Sequence, residues 1–126
     1  MLGWCDILVN ILPLTPETTG ILSAGTFNRM PKGSCVINVG RGQHCNEDDL
    51  LKALDSDRLS CAVLDVFQEE PLPVGHPLWS HEKVIVTPHV GGITKPESSV
   101  KAFVRMMDEA AEGSGFSNQI DLSRGY

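Results

Sequence analysis

Positive charge, long hydrophobic runs and paired cysteines are all scarce in this sequence. Ten Lys and Arg stand against sixteen Asp and Glu, a formal net charge of −6. That balance argues against nucleic acid or an anionic membrane surface as the natural partner. No apolar stretch approaches the ~20 residues that span a bilayer. The opening Met1-Leu2-Gly3-Trp4-Cys5-Asp6 has neither the basic region nor the hydrophobic core of a signal peptide. The four cysteines, at 5, 35, 45 and 61, form no C-x-x-C pair. The histidines at 44, 76, 81 and 89 show no i, i+4 pair, so no metal site is expected. Cys35 and Cys61 begin apolar runs and read as buried reduced thiols, which points to a reducing cytoplasm. A G-x-G-x-x-G loop is also missing, since the glycine pairs 40/42 and 91/92 lack the strand–turn–helix spacing.

What remains is the make-up of one ordinary domain: 126 residues, 41% of them apolar, with 12 glycines besides. Residues 6–12 predict a buried strand stopped by Pro13. Ser23 predicts the cap of a short helix reaching Met30, broken by Pro31-Lys32-Gly33. A strand over 34–39 follows. Asn46 predicts an N-cap, with Glu47, Asp48 and Asp49 in the first turn, where the helix dipole favours negative charge. Leu50, Leu51 and Leu54 then form one apolar face of a helix ending near Asp57. Strands over 61–64 and 84–87 flank a Pro-rich loop, in which Trp79 is expected to pack. A helix begins at 94–97, carries Val100, Phe103, Val104 and Met107 on one side, and ends around Gly113. No repeats or low-complexity tracts occur.

The strands are continuous apolar runs without polar alternation, as expected for a parallel sheet covered on both faces. The order β-α-β-α-β-loop-β-α predicts an α/β fold: half of a doubly wound, Rossmann-like parallel sheet with flanking helices. Residues 1–112 make up that half-domain and 113–126 an extended C-terminal tail.

Three polar motifs sit where these strands end: Gly40-Arg41-Gly42, Asp65-Val66-Phe67-Gln68-Glu69-Glu70-Pro71, and Pro88-His89-Val90-Gly91-Gly92. Strand ends are where open α/β sheets place their sites. Reducing a 2-oxo acid requires a fixed planar cation for the carboxylate, a proton for the carbonyl oxygen and a hydride for the carbon. Arg41 suits the first task because guanidinium binds carboxylate in a bidentate way. His89 suits the second as a proton donor near neutral pH, and Glu70 suits holding its imidazole. Asp65 can accept a hydrogen bond from a carboxamide. No side chain supplies hydride, so a cofactor must. Taken singly, each residue has a plainer reading. Arg41 could be a surface charge, His89 a helix cap, Glu70 part of an exposed acidic pair and Asp65 a turn former. Their convergence on one sheet edge favours the chemical reading.

With these motifs in view, the chain resembles the D-isomer-specific 2-hydroxyacid dehydrogenases. Leu12-Pro13-Leu14-Thr15 is similar to their cofactor loop and Asn38-Val39-Gly40-Arg41-Gly42 to their arginine motif. Asp65-Val66-Phe67-x-x-Glu70-Pro71 and Thr87-Pro88-His89-Val90-Gly91-Gly92 match the other two. Glu47–Leu54 and the closing Asn118–Tyr126 are similar to the glyoxylate/hydroxypyruvate reductase A subgroup, although Gly91-Gly92 stands where that subgroup often has Ala-Ala. The resemblance implies Arg41, Glu70 and His89 as catalytic residues. It also implies that Leu12, Pro13, Val39, Gly40, Arg41, Asp65, His89, Gly91 and Gly92 are cofactor-binding, with NAD or NADP as cofactor. A small 2-oxo or 2-hydroxy acid is the implied partner, with a homodimer expected in the full-length form.

Family members carry the missing glycine loop upstream of the position of residue 1, so the chain reads as a C-terminal portion of such an enzyme. The cofactor pyrophosphate rests on that loop, and weak or absent cofactor binding is expected for these residues alone. Two readings therefore stand: a reductase in the full-length form, or a truncated non-catalytic remnant acting at most as an interaction or oligomerisation module.

Overall fold

The computed structural model describes residues 2–92, 94–116 and 119–120. They fall into two compact units, Met1–Gly91 and Gly92–Tyr126.

The first unit is built on four parallel strands in sequential order: β1 (Ile7–Asn10), β2 (Ser34–Asn38), β3 (Leu59–Leu64) and β4 (Val84–Val86). The register pairs Asn10 with Asn38 and Asn38 with Leu64, bringing the ends of the first three strands level. Between the strands lie α1 (Ala24–Phe27) and α2 (Glu47–Asp55), and a single 3-10 turn at Pro77–Trp79 precedes β4. The strand–helix alternation expected from the sequence is thus present. The strands shift by a few residues at their ends: β1 stops at Asn10 and β3 begins two residues early.

Right-handed crossovers stepping one way along a sheet place every connection on the same side. That is where the core forms. Val36, Ala62 and Leu64 of the sheet pack with Phe27, Met30, Leu50, Leu54 and Leu78. The other face, with Ile7 and Val9 in β1 and Ile85 in β4, stays exposed. Coverage of both faces, inferred from the unbroken apolar runs, is therefore not met within this unit.

Helix α2 forms as its sequence dictates, with the Asn46 side chain accepting the Asp49 amide at 3.0 Å. Its buried residues are Leu50, Ala53 and Leu54; Leu51 is only half-buried. Helix α1 is shorter than expected. Ser23 makes no side-chain cap, and the Ala24 amide instead donates to Asp49 Oδ2 at 2.9 Å. At the other end Arg58 gathers the carbonyls of Phe27, Asn28 and Met30, satisfying the acceptors a helix end leaves free.

Cys35 and Cys61 are opposed in the β2–β3 register and joined as a disulfide, which corrects their reading as buried free thiols. Neither residue is fully buried. Cys45 is the buried free cysteine. Loss of water, reinforced by the Glu47 and Asp49 charges, pushes its thiol up to about 12, so it stays protonated.

The second unit contains α3 (Pro96–Glu112), with Pro96 in its first turn and Gly113 ending it in the left-handed region. The tail expected over 113–126 falls mainly outside the described residues. So does most of the closing Asn118–Tyr126 motif. No described helix is long and apolar enough to cross a membrane.

Candidate active site

Strand β2 ends at Asn38, and its side chain shapes the turn that follows. Asn38 Nδ2 donates to the Arg41 carbonyl at 3.1 Å, while Oδ1 accepts the Gly40 amide at 3.2 Å. Arg41 is thereby carried out of the sheet on a fixed main chain, its side chain exposed and Nη1 donating to the Gly40 carbonyl at 2.7 Å. Gly42 then passes against the loop after β3, so closely that a Cβ there would lie 1.8 Å from the Phe67 carbonyl oxygen. The arginine turn and the Asp65–Pro71 segment therefore touch main chain to main chain.

Asp65 follows β3 and is buried, at 2% exposure. Its Oδ1 accepts the Thr87 hydroxyl and the Val90 amide at 2.9 Å, and its Oδ2 accepts the Gly91 amide at 2.8 Å. Burial alone would raise this carboxyl. The Thr87 and backbone hydrogen bonds outweigh it and, with His89 nearby, hold it below the usual carboxylate range. Asp65 thus acts first on the histidine turn, in which His89 adopts a left-handed backbone at φ 51°.

Glu70 lies three residues beyond Phe67, and its Oε1 accepts the Phe67 amide at 3.0 Å. Its other oxygen meets His89 Nδ1 at 2.7 Å. The Phe67 amide, the His89 hydrogen bond and the nearby charges of His89 and Arg41 keep Glu70 below its ordinary value. With Nδ1 engaged, Nε2 is the ring nitrogen left for another partner. Beside the pair opens a cleft of about 400 Å³ lined in part by Phe67, Leu72, Trp79 and Thr87. Trp79, expected to pack in this region, lines the cleft but stays more than half exposed, its indole N–H donating to the Pro73 carbonyl at 3.1 Å. A second cavity of about 380 Å³ is lined by Glu47, Asp48 and Glu69 with His76. Its acidic rim repels a carboxylate, so the site is assigned to the first.

The residues matched to the cofactor loop gather at the same strand ends. The Val39 amide donates to the Asn10 carbonyl at 3.1 Å, setting Leu12-Pro13 beside Val39-Gly40. Leu12 and Val39 are apolar yet exposed. A Cβ on Gly91 would sit 3.0 Å from Asp65 Oδ2 and 3.6 Å from Val39. Exposed apolar side chains, a bare glycine and a carboxylate with lone-pair capacity left fit a nicotinamide ring and its carboxamide. The sequence offers no glycine loop for a pyrophosphate. Gly92 begins the second unit. Among the described residues no His/Cys/Asp/Glu group is arranged to hold a metal ion.

Three positioning side chains received no role from the sequence alone: Asn10, Asn38 and Thr87. Asn10 and Asn38 are amides closing apolar strands, where turn formation is the default explanation, and Thr87 stood only as a member of the histidine motif.

The Asp65 carboxyl also sets an acid limit. Its folded form binds a proton less readily than the unfolded chain. Its contribution is therefore complete above the ordinary aspartate range and is lost as pH falls from about 4 toward the lower folded value. Thermal melts taken down through that range are expected to fall less steeply for Asp65→Asn than for the parent chain. Equal slopes would show that the Asp65 hydrogen bonds contribute nothing net.

Residues 1–91 match the model of the D-isomer specific 2-hydroxyacid dehydrogenase NAD-binding domain. A D-isomer specific 2-hydroxyacid dehydrogenase from Xanthobacter autotrophicus Py2, solved with NADPH and MES, is similar at 42% identity and a TM-score of 0.95, over 99% of this chain and 52% of that one. A family protein from Klebsiella pneumoniae 342 is similar at 44% identity and a TM-score of 0.88, over 95% of this chain and 39% of that one. The NADPH-dependent glyoxylate/hydroxypyruvate reductase of Sinorhizobium meliloti, solved with NADP and sulfate, is similar at 35% identity and a TM-score of 0.94, over 99% and 41%. The chain thus spans about half or less of the length of these structures.

Proposed function

This chain belongs to the D-isomer specific 2-hydroxyacid dehydrogenase family, and on that premise we propose that it forms the catalytic and nicotinamide-facing edge of an NAD(P)-dependent reductase of small 2-oxo acids, of the glyoxylate or hydroxypyruvate type. Residues 1–112 are read as the C-terminal half of the NAD(P)-binding domain and 113–126 as its tail. The observation that carries the proposal is the His89–Glu70 pair at 2.7 Å, with the Arg41 charge close enough to act on Glu70. In this reading Arg41 takes the substrate carboxylate in a bidentate grip. His89 gives the Nε2 proton to the carbonyl oxygen as charge develops there, while Glu70 holds Nδ1 and so aims the ring. Leu12, Pro13, Val39, Gly40 and Gly91 would border the nicotinamide, and Asp65 would accept from its carboxamide. A nicotinamide bound there supplies the hydride. Support for the substrate type comes from the Sinorhizobium meliloti reductase.

The test joins this segment to an upstream half carrying the glycine loop and measures oxo-acid reduction. Arg41→Ala is expected to raise the substrate KM roughly 10- to 100-fold, the worth of a charged hydrogen-bonded contact, with the cofactor KM little changed. An unchanged substrate KM would sink the carboxylate role. For these residues alone, titration calorimetry with NADH and NADPH is expected to show weak or no binding, and micromolar affinity would show that the strand-end edge holds the cofactor without a glycine loop.

A further inference from the structure

The His44 side chain is wholly buried, and both of its ring nitrogens are engaged. Nδ1 faces two donors, the Arg41 amide at 3.1 Å and Asn10 Nδ2 at 2.8 Å. Nε2 faces the Pro13 carbonyl at 3.2 Å. A nitrogen facing two donors must accept, and one facing a carbonyl must donate. Only the neutral imidazole protonated at Nε2 satisfies both.

The network extends in two directions. Asn10 spends its second amide proton on Asn38 Oδ1 at 2.8 Å and accepts the Leu12 amide on Oδ1 at 3.3 Å. Asn38 then holds Gly40 and Arg41. The imidazole and two amides therefore run without a break from the Leu12-Pro13 loop to the Arg41 turn. The His44 carbonyl is itself fixed, accepting the Leu22 amide at 2.8 Å. Among the described residues no buried side-chain polar atom lacks a partner.

We propose that His44 is a positioning residue, a neutral imidazole that locks the Arg41 turn to the Leu12-Pro13 loop and so sets the substrate-carboxylate side of the edge against its nicotinamide side. The assignment rests on the reading of Arg41 and Leu12 given above, and it predicts a division of labour between the two ring nitrogens. His44→Asn sets an amide oxygen near the place of Nδ1 and gives up the Nε2 donor. His44→Gln reaches the Pro13 carbonyl with an amide N–H and gives up the Nδ1 acceptor.

In the assembled dehydrogenase, His44→Gln is expected to raise the oxo-acid KM about tenfold while leaving the NAD(P)H KM within about twofold. His44→Asn is expected to do the reverse. A residue that merely filled space would lower the melting temperature in both variants without dividing the two KM values, and that result would overturn the proposal. Independently of any variant, long-range 1H–15N spectra of the chain near neutral pH are expected to show His44 with Nε2 protonated and Nδ1 bare. An Nδ1–H tautomer or an imidazolium would refute it even if both variants failed to fold. If Arg41→Ala left the oxo-acid KM unmoved, the carboxylate reading would fall by itself. The tautomer and the cofactor-side change would still decide the role of His44.

Discussion

Replacing His89 with Asn in the assembled dehydrogenase is expected to lower kcat by roughly 10²- to 10⁴-fold, the usual worth of a positioned general acid. Asn is the substitution of choice because His89 holds a left-handed backbone at φ 51°, which Asn tolerates better than most residues. The Val90 and Gly91 amides should therefore stay on Asp65, and cofactor affinity should stay near its original value. Glu70→Gln is expected to cost less, because it weakens the grip on Nδ1 without removing the proton source. Steady-state and single-turnover rates separate the chemical step from binding. Undiminished turnover in His89→Asn would end the proton-donor assignment.

The second large effect is on stability. Gly42→Ala would place a methyl group 1.8 Å from the Phe67 carbonyl oxygen and 1.9 Å from its carbon. Those atoms are backbone, so relief requires separating the arginine turn from the segment that carries Glu70. The expected loss is about 3 kcal/mol, at the upper end of overpacking penalties and a large fraction of ordinary domain stability. Gly25→Ala is the internal control, since its Cβ would meet only Ser23 Oγ at 3.9 Å and alanine favours the helix. Thermal denaturation of both variants decides the point. A Gly42→Ala melt equal to that of the parent would mean the contact is not maintained in solution.

Much of the site was legible because its determinants are local. The apolar runs marked the strands, Asn46 marked the start of α2, and the polar motifs after Val39, Leu64 and Thr87 marked the strand ends. The remainder depends on pairings across the sheet. Cys35 and Cys61 lie 26 residues apart and meet only through the β2–β3 register, which no spacing rule within the chain reveals. Ser23 reads as a cap until Asp49, from another helix, takes the Ala24 amide. A continuous apolar strand reads as doubly covered, whereas coverage follows from the direction in which successive crossovers step. His44 was weighed only as a metal ligand, because its partners Asn10 and Pro13 lie more than thirty residues earlier.

The Asn10–Asn38–His44 network also bears on how this sequence can vary. Each member supplies a partner that another needs, so truncating any one of the three leaves a donor or acceptor of its neighbours without its partner. Substitutions that fail one at a time can succeed together, and their free energies should be strongly non-additive. Positions 10, 38 and 44 are thus expected to drift as a block, giving lineages of this fold a small number of alternative sets rather than a gradual exchange of residues.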